Sequence, residues 1–307
     1  MDFLAVPFVF VFILPTLSAY STNLNIIFFY MTWTTLVLSY NARRVELFGT
    51  LAARFVCYFF PSFFFFLFDF LMPETAARFK ARGEEGLPSG NKKGSVTQNE
   101  LKIVAWSYFN FTLSLVLQMV IETYLTVMPG LWPAVRVWLT VPLPWDIVKH
   151  LFWAFSIREI LIYYIHRYIL HSPRDAPTSS GLTDYIANLH TTWYHKSLGT
   201  PFPLAAHYDH PVCYILGTFL PMYIPVFWLQ MHMLTFLFFT TIISLEDLFA
   251  FSGYEVLPNF LGLEGVGTRL GRHLESGGKI YFGRWGVWDV IRGTGELEEG
   301  SLRGRGR

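Results

Sequence analysis

The chain has 307 residues, of which 53% are hydrophobic and 19% aromatic, including 31 phenylalanines. This composition is typical of membrane proteins and excludes an ordinary water-soluble enzyme. The formal net charge of +1, without a basic stripe interleaved with aromatic residues, argues against nucleic acid as a partner. The two cysteines, Cys57 and Cys213, both lie in apolar sequence, which excludes a disulfide framework and a paired-cysteine zinc site.

The first apolar segment, MDFLAVPFVFVFILPTLSAY, has no Lys or Arg before its hydrophobic run. A cleaved signal peptide would begin with positive charge, so we predict a retained membrane helix. A second apolar run, at about 24–39, ends shortly before the basic pair Arg43–Arg44. Because basic residues near membrane ends favour the cytoplasmic side, we expect both ends of this helical hairpin in the cytoplasm.

The middle of the chain contains two further apolar segments and a polar one. Residues 55–72 are apolar enough to enter the membrane, but basic residues on both sides leave open whether the segment spans or re-enters. Residues 73–100 have the composition of a solvated loop. The stretch 103–128 is long enough to cross about 30 Å of hydrocarbon at about 1.5 Å per residue.

In the C-terminal half, prolines interrupt residues 131–147, which we expect to lie at the membrane interface. Apolar helices are predicted at about 148–170 and 212–243. The tail, 295–307, is charged and rich in glycine, which predicts disorder. The chain is therefore predicted to be all-α, as a polytopic bundle of transmembrane helices.

Histidines are concentrated beside these apolar runs. Six of the nine lie within forty-five residues: His166, His171, His190, His195, His207 and His210. Neutral imidazole is the commonest protein ligand for iron, zinc and copper, and a polar ring near a bilayer is costly unless it is used. The concentration predicts a metal ion held at a membrane surface by nitrogen and oxygen ligands.

The first pair, His166 and His171, is five residues apart, which is about 140° around an α-helix. The two side chains would then not share a face, and both could bind one site only beside the end of the helix. Glu159, seven residues before His166, could accept the second ring N–H of that histidine. The alternative interpretation is that these polar residues mark a helix emerging at the lipid headgroups.

The second group of histidines lies on a helix followed by a loop. His190 and His195 are again five apart, while His207 and His210 are three apart. An interfacial belt of aromatic and cationic residues is the alternative interpretation of this segment. His273, alone in a glycine-rich segment, is the weakest of the candidate ligands.

The order of these motifs resembles a known family. HRYILH, then the His190 and His195 segment with TPFPLAAHYDHP, then YFGRWGVWDVIRGT, are similar to the fatty acid hydroxylase and sterol desaturase superfamily of integral membrane proteins. The resemblance covers about 148–294. It implies a helix bundle with a cytosolic histidine-rich cap that holds iron, as two ions. It also implies hydroxylation or desaturation of lipids and sterols with dioxygen and NAD(P)H-derived electrons, in the endoplasmic reticulum.

The resemblance also assigns roles to individual residues. The metal ligands that it implies are His166, His171, His190, His195, His210 and His273. Glu159 stands where the family has an acidic residue, and we take Glu159 and His207 as the catalytic candidates. The family pattern is broken at Tyr194, Ser276 and Gly277, where further histidines are expected. Other side chains could compensate: His207, Asp209, Glu246, Asp247 or Glu275. The sequence leaves open whether one or two metal ions bind.

We divide the chain into N-terminal membrane helices with a connecting loop (1–147), a catalytic region (148–294) and a tail (295–307). The leading hypothesis is a membrane-bound, non-haem iron oxidoreductase that hydroxylates or desaturates a sterol, a fatty acyl chain or a terpenoid or polyketide-type metabolite. It would require a separate electron-donor protein, such as a cytochrome or a reductase. The alternatives are a non-oxidative isomerase or cyclase that uses the histidines as acids and bases, and a non-catalytic membrane binding protein.

Overall fold

The computed structural model describes residues 22–88, 96–172, 181–254 and 265–295. Within these ranges the regular structure is helical except for an isolated bridge and one parallel pair of two-residue strands, Val135–Arg136 with Met231–His232. The predicted all-α class is confirmed. The predicted N-terminal helix lies outside the described residues, and so does the predicted disordered tail apart from Gly295.

The second and third predicted apolar segments form two long helical stretches. Helix α1 covers Thr22–Ser39, and α2 (Ala42–Arg54) continues through a π turn, Phe55–Phe59, into α3 (Phe60–Leu71). Residues 55–71 are thus the second half of a 30-residue helical stretch that is long and apolar enough to cross a membrane. They do not form a helix separate from α2.

The segment predicted as a solvated loop, 73–100, is partly helical. It contains α4 (Pro73–Phe79), a 3-10 turn (Gly83–Gly86) and the start of the next helix. Pro73 suits the first turn of a helix, where its missing N–H costs nothing. Lys80 is buried beside Asp69, with Nζ 2.7 Å from Oδ2. The prediction of a solvated loop was based on composition, and composition does not reveal that this lysine has a buried partner.

Helix α5 covers Gln98–Val127 and begins with a capping box formed by Thr97 and Glu100. It agrees with the predicted span at 103–128. The chain then runs without a helix to α6 (Pro144–Ile165), which continues into a π turn, His166–Leu170. Because of the prolines before it, α6 begins only near the end of the region that was predicted to be interfacial.

The prediction of one long helix at 212–243 is wrong. Helix α8 (Pro211–Tyr214) runs through a π turn, Ile215–Phe219, into α9 (Leu220–Leu229), and α10 covers Met233–Ser252. Gln230 ends α9 with a left-handed backbone, φ 44°. A bilayer needs about 20 apolar residues per helix, and because the apolar sequence continues to Ser252 it supplies two helices of about that length.

Four helical stretches in the described residues are long and apolar enough to span a membrane: Ala42–Leu71, Gln98–Val127, Pro211–Leu229 and Met233–Ser252. Helix α10 is the central one, since 72% of the residues in its apolar stretch are buried inside the protein, against 17% in Ala42–Leu71. Phe236, Phe239 and Phe251 of α10 are fully buried. The outer helices expose their many phenylalanines, as lipid-facing surfaces do.

Short helices complete the bundle and carry the remaining histidines. Helix α7 (Gly181–His190) ends in a π turn, Thr191–His195, and a 3-10 turn covers Pro203–Ala205. Helices α11 (Val266–Glu275) and α12 (Val287–Arg292) follow α10. Because α7 packs on the π turn that follows α6, and α11 packs on α10, histidines from distant parts of the sequence meet.

Candidate metal centre

Two π turns place the histidine pairs. His166 begins the π turn at the end of α6, and the backbone N–H of His171 donates to the carbonyl of His166 at 2.9 Å. His190 precedes the second π turn and His195 ends it. A π turn joins residues five apart by a hydrogen bond and therefore brings both members of a pair to one side. The expectation that His166 and His171 face apart assumed an α-helix and is wrong.

Five imidazoles meet at this point. One ring nitrogen from each of His166, His171, His190 and His273 lies within 4.8 Å of the other three. His195 joins them, with Nε2 3.1 Å from Nε2 of His171. Two nitrogens on opposite sides of one metal ion are about 4.2 Å apart, at twice a metal–nitrogen distance of about 2.1 Å. The first four rings are therefore close to the spacing that one shared ion requires, and His195 adjoins them through His171. We call the five rings the histidine cluster.

Backbone carbonyl groups orient two of the rings. Nδ1 of His166 lies 2.9 Å from the Phe282 oxygen, and Nδ1 of His273 lies 2.7 Å from the Ile280 oxygen. A carbonyl only accepts, so each Nδ1 donates its proton and each Nε2 keeps its lone pair. Both Nε2 atoms are buried and lack a hydrogen-bond partner in the part of the chain that the structure describes. Metal-binding histidines are held in this way.

A carboxylate orients the third ring. Oδ2 of Asp209 lies 2.6 Å from Nδ1 of His190, while Oδ1 accepts the backbone N–H of His210 at 2.7 Å. Nε2 of His190 is buried and, among the described residues, also unpartnered. A carboxylate behind an imidazole raises its basicity as a ligand. Asp209 was considered above only as a substitute ligand, and the structure places it behind a histidine.

Burial keeps three rings of the cluster neutral, and neighbouring histidines add to the effect. Burial lowers the pKa of His166 well below its ordinary value, and the neighbouring His273 and His190 lower it further. The same causes lower the pKa of His195 to about 3. Burial lowers the pKa of His273 to about 4. At neutral pH these three rings are therefore uncharged and able to bind a cation through nitrogen lone pairs.

The two glycines after α11 bring the backbone against the cluster. Gly278 has φ +82°, and a Cβ at this position would collide with Cε1 of His171 and lie 2.6 Å from its Nδ1. Gly277 also has a positive φ, but a Cβ there would meet nothing within 4 Å. Ser276 donates its hydroxyl to the carbonyl of His273 at 2.9 Å. The positions where the family pattern has histidines thus form the turn that ends α11.

Tyr194 stands beside the cluster at another position where the family pattern has histidine. Its ring stacks on His190 with centroids 5.1 Å apart. Burial raises the pKa of Tyr194, so the side chain is a neutral phenol. It lines a cavity in front of the cluster together with His166, His190, His273 and the apolar side chains of Ile162 and Leu170. We call this space the histidine cavity.

Two predicted site histidines lie apart from the cluster. His210 caps α8, because its Nδ1 accepts the backbone N–H of Val212 at 3.3 Å, and its ring packs on Trp193. His207 is fully buried, with Nδ1 3.2 Å from the hydroxyl of Tyr214. The structure therefore brings five of the six predicted metal ligands together and leaves His210 outside.

Glu159 is close to the site but does not orient His166. Its Oε1 accepts the backbone N–H of Trp285 at 2.9 Å, whereas Nδ1 of His166 lies against the Phe282 carbonyl. Its second oxygen is buried and, in the described ranges, has no hydrogen-bond partner. The spacing of seven residues does align Glu159 with His166 on α6, but the segment before α12 comes between them and supplies the acceptor.

Residues 151–294 match the fatty acid hydroxylase family, a family of membrane oxidoreductases. The matched region contains both π turns that carry histidines and all five rings of the cluster. No solved structure matches the chain. The match, together with four helices long and apolar enough to span a bilayer, makes this an integral membrane protein. The match over residues 151–294 supports the resemblance of this region to the fatty acid hydroxylase and sterol desaturase superfamily.

Proposed function

We propose that the protein is an iron-dependent hydroxylase or desaturase that uses dioxygen on a lipophilic substrate. The observation that carries this proposal is the convergence of five imidazoles, three of which have a buried Nε2 without a partner among the described residues. Each such atom costs about 1–3 kcal/mol when left unsatisfied. A bound metal ion would remove this cost, and imidazole suits iron.

The number of iron ions is part of the proposal. Five imidazoles provide enough donors for one ion with a coordination position left open, whereas two ions would share them as two and three. In the described ranges, the carboxylates considered as substitutes are engaged elsewhere: Asp209 with His190, Glu246 with Arg158, Asp247 with Arg284, and Glu275 with Arg82. We therefore propose one iron ion per chain, in place of the two that the resemblance implies.

Bound iron would supply the activation of dioxygen, with electrons from NAD(P)H delivered by a separate cytochrome or reductase. The chain's own residues perform the remaining tasks. Asp209 and the carbonyls of Phe282 and Ile280 fix the direction of the ring nitrogens. Ile162 and Leu170 give the histidine cavity an apolar wall, which favours a hydrocarbon substrate and disfavours water.

We place the protein in the endoplasmic reticulum with the histidine cluster facing the cytosol, as the family resemblance implies. Basic residues near the cluster in sequence support this orientation: Arg167 follows His166, Lys196 follows His195, and Arg272 precedes His273. Lys and Arg accumulate on the cytoplasmic side of membrane proteins.

The test is metal analysis followed by turnover. We expect the protein, purified in detergent and loaded anaerobically with ferrous ion, to retain one iron per chain. With dioxygen and a reductase, products from a lipid extract should gain one oxygen atom or lose two hydrogen atoms by mass spectrometry. His190→Ala should lose both iron and activity. His150→Ala is the matched control, because among the described residues the hydrogen bond of His150 is local, to the Asp146 carbonyl.

Two results would contradict the proposal. A protein that retains no metal after careful loading would exclude the iron site. Activity that survives strict anaerobic conditions and a chelator would instead support the alternative of an isomerase or cyclase in which the histidines act as acids and bases.

A further inference from the structure

A second cavity lies among the helices of the bundle. Its wall contains Arg54 of α2, Arg158 of α6, Asp247 of α10, Arg284 and His207. We call it the inner cavity. The inner cavity and the histidine cavity share lining residues, among them Ile162, Tyr214, Thr218 and Arg284. The two spaces are therefore neighbours, and one molecule could occupy both.

Two of the three arginines in this wall have carboxylate partners. Arg158 forms a two-point hydrogen-bonded pair with Glu246, at 3.0 and 2.8 Å. Arg284 lies 3.3 Å from Oδ1 of Asp247. These pairs account for both carboxylates that α10 brings to this region. They leave the charge of Arg54 to be explained.

Arg54 has no carboxylate partner within ion-pair distance in the part of the chain that the structure describes. Its side chain is buried, with the residue 3% exposed, and Nε lacks any hydrogen-bond partner. One terminal nitrogen contacts the thioether sulfur of Met222 at 2.6 Å, although sulfur is a weak acceptor. The Phe111 ring lies 5.5 Å from the guanidinium carbon. Neither neighbour neutralises the charge.

This arrangement is costly for the protein alone. Arg54 stands inside the apolar stretch Ala42–Leu71, where an ionised side chain is expensive and usually serves a ligand or an ion. A guanidinium presents its N–H groups in a fork that matches the two oxygens of a carboxylate. An anionic group in the inner cavity would therefore satisfy Nε and balance the excess positive charge of the wall.

We propose that the inner cavity is an anion subsite in which Arg54 binds the carboxylate of an amphipathic substrate whose hydrocarbon part lies in the histidine cavity. The substrate role rests on the proposed function. The sizes agree, since the inner cavity is the smaller of the two spaces and the histidine cavity is the larger. The smaller space suits a head group, and the larger one suits a chain.

The test compares octanoate, 1-octanol and acetate as ligands of the purified protein in nanodiscs, by scintillation proximity with radiolabelled compounds. We expect octanoate to bind about tenfold or more tightly than 1-octanol, because charge-assisted hydrogen bonds to a buried arginine are strong. Arg54→Gln should abolish this preference, and Arg54→Lys should retain part of it. Arg44→Gln is the matched control, an exposed arginine of the same helix, and it should keep the full preference.

Three results would overturn the subsite. These are equal binding of octanoate and 1-octanol by the unaltered protein, an unchanged preference in Arg54→Gln, or acetate binding as tightly as octanoate, which would indicate a site for small anions only. If Arg54→Gln fails to fold, methyl octanoate against octanoate on the unaltered protein tests the same charge. The binding assay uses neither oxygen nor a reductant. If the protein prefers octanoate but retains no iron and shows no turnover, that result contradicts only the proposed function.

Discussion

The groups behind the imidazoles decide which nitrogen atoms of the cluster are free. Two of these groups are backbone carbonyls, which no side-chain substitution removes, and the third is the carboxylate of Asp209. Asp209 is therefore the place where orientation of a ring can be altered without removing a ligand. Close packing around His171 offers a second such place, at Gly278.

We expect Asp209→Asn to weaken metal binding by about 10–100-fold, because an amide keeps the size of the group but loses the charge that supports His190. The measurement is competition for ferrous ion between the purified protein and a chelator. Asp146→Asn, which removes only a surface pair with Lys149, should leave the affinity unchanged. Equal affinities for the two variants would show that Asp209 has no orienting role.

Gly278→Ala should displace His171, because the new methyl group would overlap its ring. We expect a loss of bound metal beyond what backbone strain alone produces. Gly277→Ala is the matched control, since Gly277 has a similar positive φ of +66° but open space around its Cβ position. Iron content of the two variants, measured at equal protein concentration, distinguishes them. The packing argument fails if Gly277→Ala loses as much iron as Gly278→Ala.

The helices connect the membrane part of the molecule to the histidine cluster through a few polar contacts. Asn110 of α5 is fully buried, and its amide nitrogen donates to the carbonyls of His207 and Asp209, at 3.0 and 2.8 Å. The loop that carries Asp209 is thereby fixed to a spanning helix. Asn110, Phe111 and Thr112 formally match a glycosylation motif, but burial of Asn110 makes its side chain inaccessible.

Asn110→Leu should destabilise the protein, since it leaves two buried carbonyls unsatisfied at about 1–3 kcal/mol each. Iron affinity should fall as well, because Asp209 loses its support. Thermal unfolding in detergent and chelator competition report the two effects. Thr112→Val is the control, because it removes the same glycosylation motif while losing only a local bond to the Tyr108 carbonyl. If both variants lower stability and iron affinity equally, the cause would be loss of glycosylation and not loss of the buried hydrogen bonds of Asn110.

Hydrophobic length predicted the apolar helices α1, α3, α5 and α6 but not the short helices, and the order of the histidine motifs predicted the region of the site. The geometry of the site was less accessible. Spacing of five residues is ambiguous until hydrogen bonding selects a π turn over an α-helix, so the shared face of His166 and His171 was missed. The acceptors at Phe282 and Ile280 are backbone atoms, which carry no sequence signal. Gln230, which divides the last apolar run, is not a typical helix breaker.

At the scale of the whole molecule, the cluster joins segments that are far apart in sequence. His166 and His171 follow α6. His190 ends α7, and His195 ends the π turn after it. His273 belongs to α11. A metal ion bound to all five rings would therefore cross-link three parts of the fold. Elsewhere the buried pair of Lys80 and Asp69 makes a similar connection between the loop after α4 and the end of α3.

Metal removal should therefore lower the stability of the whole molecule. A ligand that binds only the folded state stabilises it by about 4 kcal/mol at a free concentration of about 1,000 times its Kd. We expect the iron-loaded protein to unfold at a higher temperature than the chelated protein, by several degrees. In His273→Ala the difference between loaded and chelated samples should shrink, because α11 no longer contributes a ligand. The control is His232→Ala, since His232 caps α10 away from the cluster and should preserve the full difference. If iron leaves the unfolding temperature of the unaltered protein unchanged, the five rings do not act together as a metal site.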